Sequence, residues 1–184
     1  MPMLQVLTGA IKGRKLKVPK GRAIRPTTSR IKKSMFDTLG DLHGSRVLDI
    51  FAGSGGLGIE SLSRGASHVT FIEKGPGVFK LLRDNVASCG FLDKADIICD
   101  DYEHATKKLG KEGSKFDVVF IDPPYKLYEK KEVLDFVSLV TNCVDYGSII
   151  IIEHERHLTS EAKGFSRVTR SFGGTKVSYF RRMS

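Results

Sequence analysis

The chain has 184 residues, 40% of them hydrophobic, which is enough for one compact domain with a full core and an appendage. No apolar run is long enough to cross a bilayer and no charged-then-apolar leader opens the chain, so a cytoplasmic protein is expected. Its formal net charge is +9 with a pI near 9.5, while the three cysteines, Cys89, Cys99 and Cys143, are odd in number and lack close pair spacing; they read as reduced thiols, not as disulfides.

In chain order, residues 4–8 and 14–18 read as two short strands, with Gly9 and Gly13 in their connection. Arg25-Pro26-Thr27-Thr28 then opens a helix with a hydroxyl cap. Ile31, Met35, Phe36 and Leu39 recur along it at helical spacing until Gly40 stops it. Its polar side is assigned Arg30, Lys32 and Lys33. Residues 1–46 hold eleven Lys/Arg and only Asp37 and Asp41 as acids, and the remainder of the chain balances nineteen of each sign. All the excess charge therefore lies in the first quarter, which is the footprint expected of a surface that grips a phosphate backbone.

From Arg46 onward, strands near 46–51, 68–73, 95–99, 116–121 and 148–152 alternate with helical segments near 56–64, 76–89, 102–110 and 129–142. The alternation predicts a doubly wound α/β fold on a mostly parallel sheet. Residues 166–171 and 176–181 around Gly173-Gly174 close the chain as an antiparallel hairpin. There is no internal repeat and no low-complexity tract. The expected organisation is a basic extension over 1–45 and an α/β domain over 46–184.

Two motifs carry chemistry. Val47-Leu48-Asp49-Ile50-Phe51-Ala52-Gly53-Ser54-Gly55-Gly56-Leu57-Gly58 reads as strand, glycine turn and helix. Glycines 53, 55 and 58 fit the spacing with which dinucleotide-binding folds bring backbone against a ligand. A carboxylate at Asp49 suits a cationic amino group better than a pyrophosphate, which favours S-adenosylmethionine over a dinucleotide. About twenty residues after Gly53 the next strand ends in Glu73, placed for ribose hydroxyls of either ligand.

Asp122-Pro123-Pro124-Tyr125 ends the apolar run Phe116–Ile121. Alone it also reads as a plain strand-ending turn. Its composition suits methylation of an exocyclic amine, whose lone pair is delocalised into the base until acceptors grip its N–H groups. Asp122 and a prolyl carbonyl are such acceptors, two prolines remove competing donors and fix φ, and the Tyr125 ring can stack on an unstacked base. Asp100 and Asp101 read either as a helix cap or as ligand contacts. His154-Glu155-Arg156-His157 lacks the i, i+4 histidine spacing of a zinc motif and reads as a solvated strand end, so no metal is expected.

Together with Gly13-Arg14-Lys15-Leu16 and Arg25-Pro26-Thr27-Thr28-Ser29-Arg30, these motifs resemble the bacterial 16S ribosomal RNA guanine-N2 methyltransferases of the RsmD type, within the class I S-adenosylmethionine-dependent methyltransferases. The similarity runs over nearly the whole chain. It implies that Asp49, Gly53 and Gly55 bind the methionine end of the cofactor and Glu73 its ribose, and that Asp101 and Tyr102 meet its adenine. Phe51, Ala52, Ser54 and Lys74 complete the cofactor set. Asp122, Pro123, Pro124 and Tyr125 would hold the target amine. Arg14, Lys15, Arg25, Thr27, Thr28, Arg30 and Lys33 would contact RNA of the small ribosomal subunit or an assembly intermediate, the protein acting as a monomer. Lys74-Gly75-Pro76-Gly77 is richer in glycine and proline than the helix start usual in this family.

Other readings are weaker. A nicotinamide oxidoreductase gives Asp-Pro-Pro-Tyr and the basic arm no role. A DNA adenine-N6 methyltransferase shares both motifs, yet about seventy residues separate them and about sixty follow, short of the roughly 100 residues of an independent duplex-reading domain. A protein glutamine methyltransferase ordinarily has Asn where Asp122 stands. A non-catalytic RNA-binding protein would not need both motifs complete.

Overall fold

The computed structural model describes residues 4–19 and 29–184. A two-stranded ribbon, β1 (Leu4–Gln5) and β2 (Lys15–Leu16), precedes helix α1 (Ser29–Leu39). Alternation then follows: β3 (Arg46–Ile50), α2 (Gly56–Ser63), β4 (His68–Ile72), α3 (Pro76–Ser88), β5 (Ala95–Ile98), α4 (Tyr102–Lys111), β6 (Phe116–Ile121), α5 (Val133–Val140), β7 (Val144–His154), β8 (Phe165–Phe172) and β9 (Thr175–Arg182). The seven-stranded sheet has the order β5-β4-β3-β6-β7-β9-β8, with β3 to β7 parallel and β9 antiparallel to both its neighbours. The chain order reverses beside β3, and in such sheets ligands bind at the carboxyl ends of the strands near that point.

Period-two alternation along the strands feeds two cores. Val47, Val69, Phe71, Val118, Phe120 and Ile151 face α1, α2 and α3, while Leu48, Ile50, Ile72, Val119, Ile121 and Ile150 face α4 and α5. Val6, Leu16, Ile31, Met35 and Phe36 belong to the first of these cores. The basic extension therefore shares its packing with the α/β body.

Several expectations need correction. The first strands pair over only two residues each, because the intervening backbone bonds to α2: Leu7 and Thr8 donate to the Glu60 carboxylate at 2.7 and 3.0 Å, and Ala10 donates to the Ser63 carbonyl at 2.8 Å. The helix expected over 129–142 is a 3-10 turn at Tyr125–Glu129, then α5, then a second 3-10 turn at Thr141–Cys143. A capping box between Glu132 and Asp135 starts α5 afresh. Strand β7 begins at Val144, four residues early, through an irregularity in its pairing with β6 near Gly147 (φ 87°). His154 is fully buried rather than solvated; its Nε2 lies 2.8 Å from Ser178 Oγ, and burial pushes its pKa down to about 4.

Lys32 is the clearest correction. It does not lie on a polar face that RNA could reach: its side chain is 2% exposed, with Nζ 3.0 Å from Glu60 and bonded to the carbonyls of Gln5 and Gly56. Lys32 precedes Met35, Phe36 and Leu39 by three, four and seven residues, so it sits on the helix's apolar stripe. Cys89 and Cys143 are buried and Cys99 is exposed, all with free thiols. No helix among the described residues is long and apolar enough to cross a membrane.

Candidate active site

The glycine loop leaves β3 at its carboxyl end and enters α2. Gly53 has φ 55°, and a Cβ there would meet no atom nearer than the Phe51 carbonyl oxygen at 3.8 Å. Its glycine is required by the left-handed backbone, and the space beside it is open to a ligand. Gly58 answers a different need, since a Cβ would lie 2.2 Å from the Phe71 ring. Phe51 has φ 64°, a conformation that strains a side-chain-bearing residue by roughly 1–2 kcal/mol. Its ring lies 4.6 Å from that of Tyr102, and both rings pack on Phe136, forming an aromatic wall beside the loop. Burial, then the hydrogen bond to Glu103, pushes the Tyr102 hydroxyl up to about 12.

Carboxylates end three adjacent strands on one sheet face. Asp49 shares the side-chain face of Val47 and Phe120, and the residues next after β4 and β6, Glu73 and Asp122, point to that same side by alternation. Asp49 is buried and accepts from the Gly58 N–H at 2.9 Å. Burial raises its pKa to about 7 against the pull of that N–H, with the Asp122 and Glu73 charges adding to the rise. Glu73 bridges the loop, accepting from Gly53 N–H at 3.0 Å and Gly75 N–H at 2.8 Å. Gly75 caps α3 and Pro76 opens it, so the glycine-proline run after Glu73 makes an ordinary helix start.

At the β5 end the cap is Asp101, not Asp100. Asp101 Oδ1 accepts from Glu103 N–H at 3.0 Å and Oδ2 lies 3.1 Å from Lys74 Nζ, while Asp100 pairs with His104. Asp122 is half-buried, Pro123 buried, Pro124 exposed and Tyr125 39% exposed. The Pro124 carbonyl accepts from Leu127 N–H at 2.8 Å, which commits it to the 3-10 turn. Tyr128 is buried behind this turn, donating its hydroxyl to the Glu153 carbonyl at 2.8 Å, and its own carbonyl accepts from the Arg156 guanidinium.

Of the residues expected to meet RNA, Arg25, Thr27 and Thr28 lie outside the described residues. Lys15 and Arg30 are exposed. Arg14 donates to the Ser88 carbonyl, and Lys33 pairs with Asp37 at 2.7 Å. Sequence reasoning missed Asn85, which is buried; its Nδ2 donates at 2.9 Å to the carbonyls of both Lys17 and Ser54, tying the extension to the glycine loop. A lone amide in an amphipathic helix gives no sequence signal of that role.

A mostly parallel sheet with a glycine loop after β3, a carboxylate after β4 and Asp-Pro-Pro-Tyr after β6 is the class I methyltransferase fold. The solved yhhF protein of Escherichia coli superposes with a TM-score of 0.84 at 26% identity, over 100% of this chain and 99% of that one. The chain belongs to the family described as Conserved hypothetical protein 95, matched over residues 4–181, which is the RsmD family its motifs resemble. YlbH of Bacillus subtilis (strain 168) is 34% identical over 183 residues, 97% of this chain and 99% of that protein. Ribosomal RNA small subunit methyltransferase D of Escherichia coli (strain K12) is 36% identical over 136 residues, 73% of this chain and 67% of that protein.

Proposed function

We propose that this protein transfers a methyl group from S-adenosylmethionine to the exocyclic N2 of a guanine in small-subunit ribosomal RNA, acting as a monomer in the bacterial cytoplasm. The observation that carries the reading is the row Glu73, Asp49 and Asp122, which sets a cationic-ligand end and an amine-gripping end side by side on adjacent strands. The likeness to ribosomal RNA small subunit methyltransferase D supports the choice of RNA over DNA.

The residues fit the cofactor. Open space beside Gly53 admits it, Asp49 and the loop N–H groups suit its amino-acid end, Glu73 its ribose, and the Phe51–Tyr102 wall with Asp101 and Lys74 its adenine. When bound, S-adenosylmethionine supplies an electrophilic methyl on a sulfonium. The chain's own part is positional and electrostatic. Asp122 and the Pro123 carbonyl accept the two N–H groups of the target amine and draw its nitrogen towards tetrahedral geometry; Pro123 is assigned because Pro124 serves the turn. The amine becomes acidic only once its new N–C bond is forming, so Asp122 need not be a strong base. Tyr125 stacks on the base.

Parallel incubations of the protein and labelled S-adenosylmethionine with small-subunit RNA or particles and with duplex DNA, followed by mass spectrometry of the nucleosides, test the reading. N2-methylguanosine is the expected product. N6-methyladenine in DNA would overturn it.

The raised pKa of Asp49 makes cofactor binding pH-dependent. The ammonium of the ligand needs the carboxylate, so the proton held below about pH 7 must leave, and S-adenosylhomocysteine affinity is expected to fall up to tenfold per pH unit below that point. Folding has the opposite sign: a folded pKa raised from 3.8 to about 7 means stability from this group is lost as pH rises between those values. Asp49→Asn keeps an acceptor for Gly58, so it should weaken the ligand, flatten the pH dependence and raise the melting temperature of the free protein at pH 7.5. Calorimetry and thermal melts read all three, and a pH-independent wild-type affinity would refute the assignment.

The cations of the extension are assigned to RNA phosphates: Lys15, Arg30 and Lys33, which are exposed, and Arg25, which lies outside the described residues. Neutralising Lys15, Arg25, Arg30 and Lys33 together should lower RNA affinity and reduce its salt slope by roughly 0.7–0.9 per lost contact. S-adenosylhomocysteine affinity and the melting temperature should hold. An unchanged slope in that folded variant would exclude the extension as the RNA-binding element.

A further inference from the structure

Beside Tyr125 lies a cleft of about 240 Å³ lined by Tyr125, Tyr128, Glu129, Glu155 and Arg156. The segments after β6 and after β7 form its two sides, brought together because those strands pair in parallel up to Ile121 and Ile152. Two bonds make them one wall: Tyr128 hydroxyl to the Glu153 carbonyl, and Arg156 guanidinium to the Tyr128 carbonyl. In a protein of net charge +9, this cleft next to the amine-gripping turn holds two carboxylates and one guanidinium. That charge repels a phosphate. It suits a base edge rich in hydrogen-bond donors.

We propose that the cleft reads the Watson–Crick edge of the target guanine, with Glu155 accepting N1–H and Arg156 donating to O6; this rests on the guanine-N2 reading above. Along that edge guanine presents the N2 amine, N1–H and O6, which is donor, donor, acceptor. The chain offers a matching set: Asp122 as acceptor on the turn assigned to N2, and in the cleft beside that turn Glu155 as acceptor and Arg156 as donor. Adenine offers an unprotonated N1 and no 2-amine, so it would leave Glu155 facing a lone pair. Sites built to bond a substrate N–H discriminate strongly against analogues that lack it, because the site's own polar group is then left unmatched. Glu155 and Arg156 are thus specificity-determining residues for the transfer, and the cleft explains why an Asp-Pro-Pro-Tyr turn takes guanine here.

The test compares two RNA substrates, with guanosine or 2,6-diaminopurine riboside at the methylated position once it is mapped. Diaminopurine keeps the N2 amine but inverts N1 and position 6. The wild-type protein should favour guanosine in kcat/KM by about 100-fold or more. Glu155→Gln, whose amide can donate to the analogue's N1, should shrink that preference at least tenfold while S-adenosylhomocysteine affinity and melting temperature stay unchanged. Glu129→Gln, in the same cleft, should leave the preference within about threefold. An unchanged preference in Glu155→Gln, an equal loss on both substrates, or the effect appearing at Glu129 instead overturns the assignment. A wild-type protein that forms no N2-methylguanosine would count against the proposed function itself, before the variants are compared.

Discussion

Asp122→Ala is expected to lower methyl transfer by at least about 10²–10³-fold, the scale seen when one preorganised polar contact to a reacting group is removed. The loss should fall on kcat, because the contact strengthens as the amine nitrogen pyramidalises. Cofactor affinity should hold or tighten slightly: Asp122 is one of the charges that raises the pKa of Asp49, so removing it eases formation of the carboxylate that the ligand needs. Single-turnover transfer and calorimetry with S-adenosylhomocysteine separate the two effects. Loss of cofactor affinity alongside turnover would move Asp122 into the cofactor site. At the neighbouring position Tyr125→Phe should be mild and Tyr125→Ala severe, since the ring face does the stacking. Equal damage from both would exclude that role.

Glu60→Ala is expected to cost about 3–5 kcal/mol, the scale for breaking a buried ion pair by removing one partner. The Glu60 side chain is fully buried, with Lys32 Nζ at 3.0 Å and Arg64 Nε at 2.9 Å, and it also accepts the N–H groups of Leu7 and Thr8. Its removal strands a buried ammonium and releases the backbone of the extension from α2. A domain of ordinary stability, about 5–15 kcal/mol, would lose a large share. Replacing the pair together, Glu60→Leu with Lys32→Met, should recover part of the loss but not the two backbone N–H bonds. Denaturant melts of the single and double variants read both outcomes, and a single variant within about 1 kcal/mol of wild type would refute the network's role. Because Glu60 lies one turn beyond the glycine loop, the double variant also shows whether the extension and the cofactor site are coupled.

The course of the chain was legible from Arg46 onward because its strands are short apolar runs punctuated by glycine and acidic residues, and local patterning decides such elements. Legibility ended where a partner distant in sequence decided the outcome. Residues 4–18 look like two longer strands, yet Glu60, more than fifty positions away, takes the N–H groups that a longer ladder would have used. The break within residues 129–142 has a local cause instead: their composition is helical throughout, and the capping pair Glu132–Asp135 starts the helix only at Val133. The charge of Lys32 suggests a polar face, yet its place on the apolar stripe of α1 buries it against Glu60, a partner that its own helix does not reveal.

The sequence by itself determined the alternating α/β order, the glycine loop and the identity of Asp49, Glu73 and Asp122 as strand-ending carboxylates, since spacing and residue type carry that information locally. Only the tertiary structure decided that β9 inserts between β7 and β8, that Asn85 ties the extension to the glycine loop, and that Glu155 and Arg156 share a cleft with Tyr125. These depend on strand order and on burial, where the desolvation cost of a polar group is offset by whichever partner the fold brings near. No periodicity in the chain records that choice.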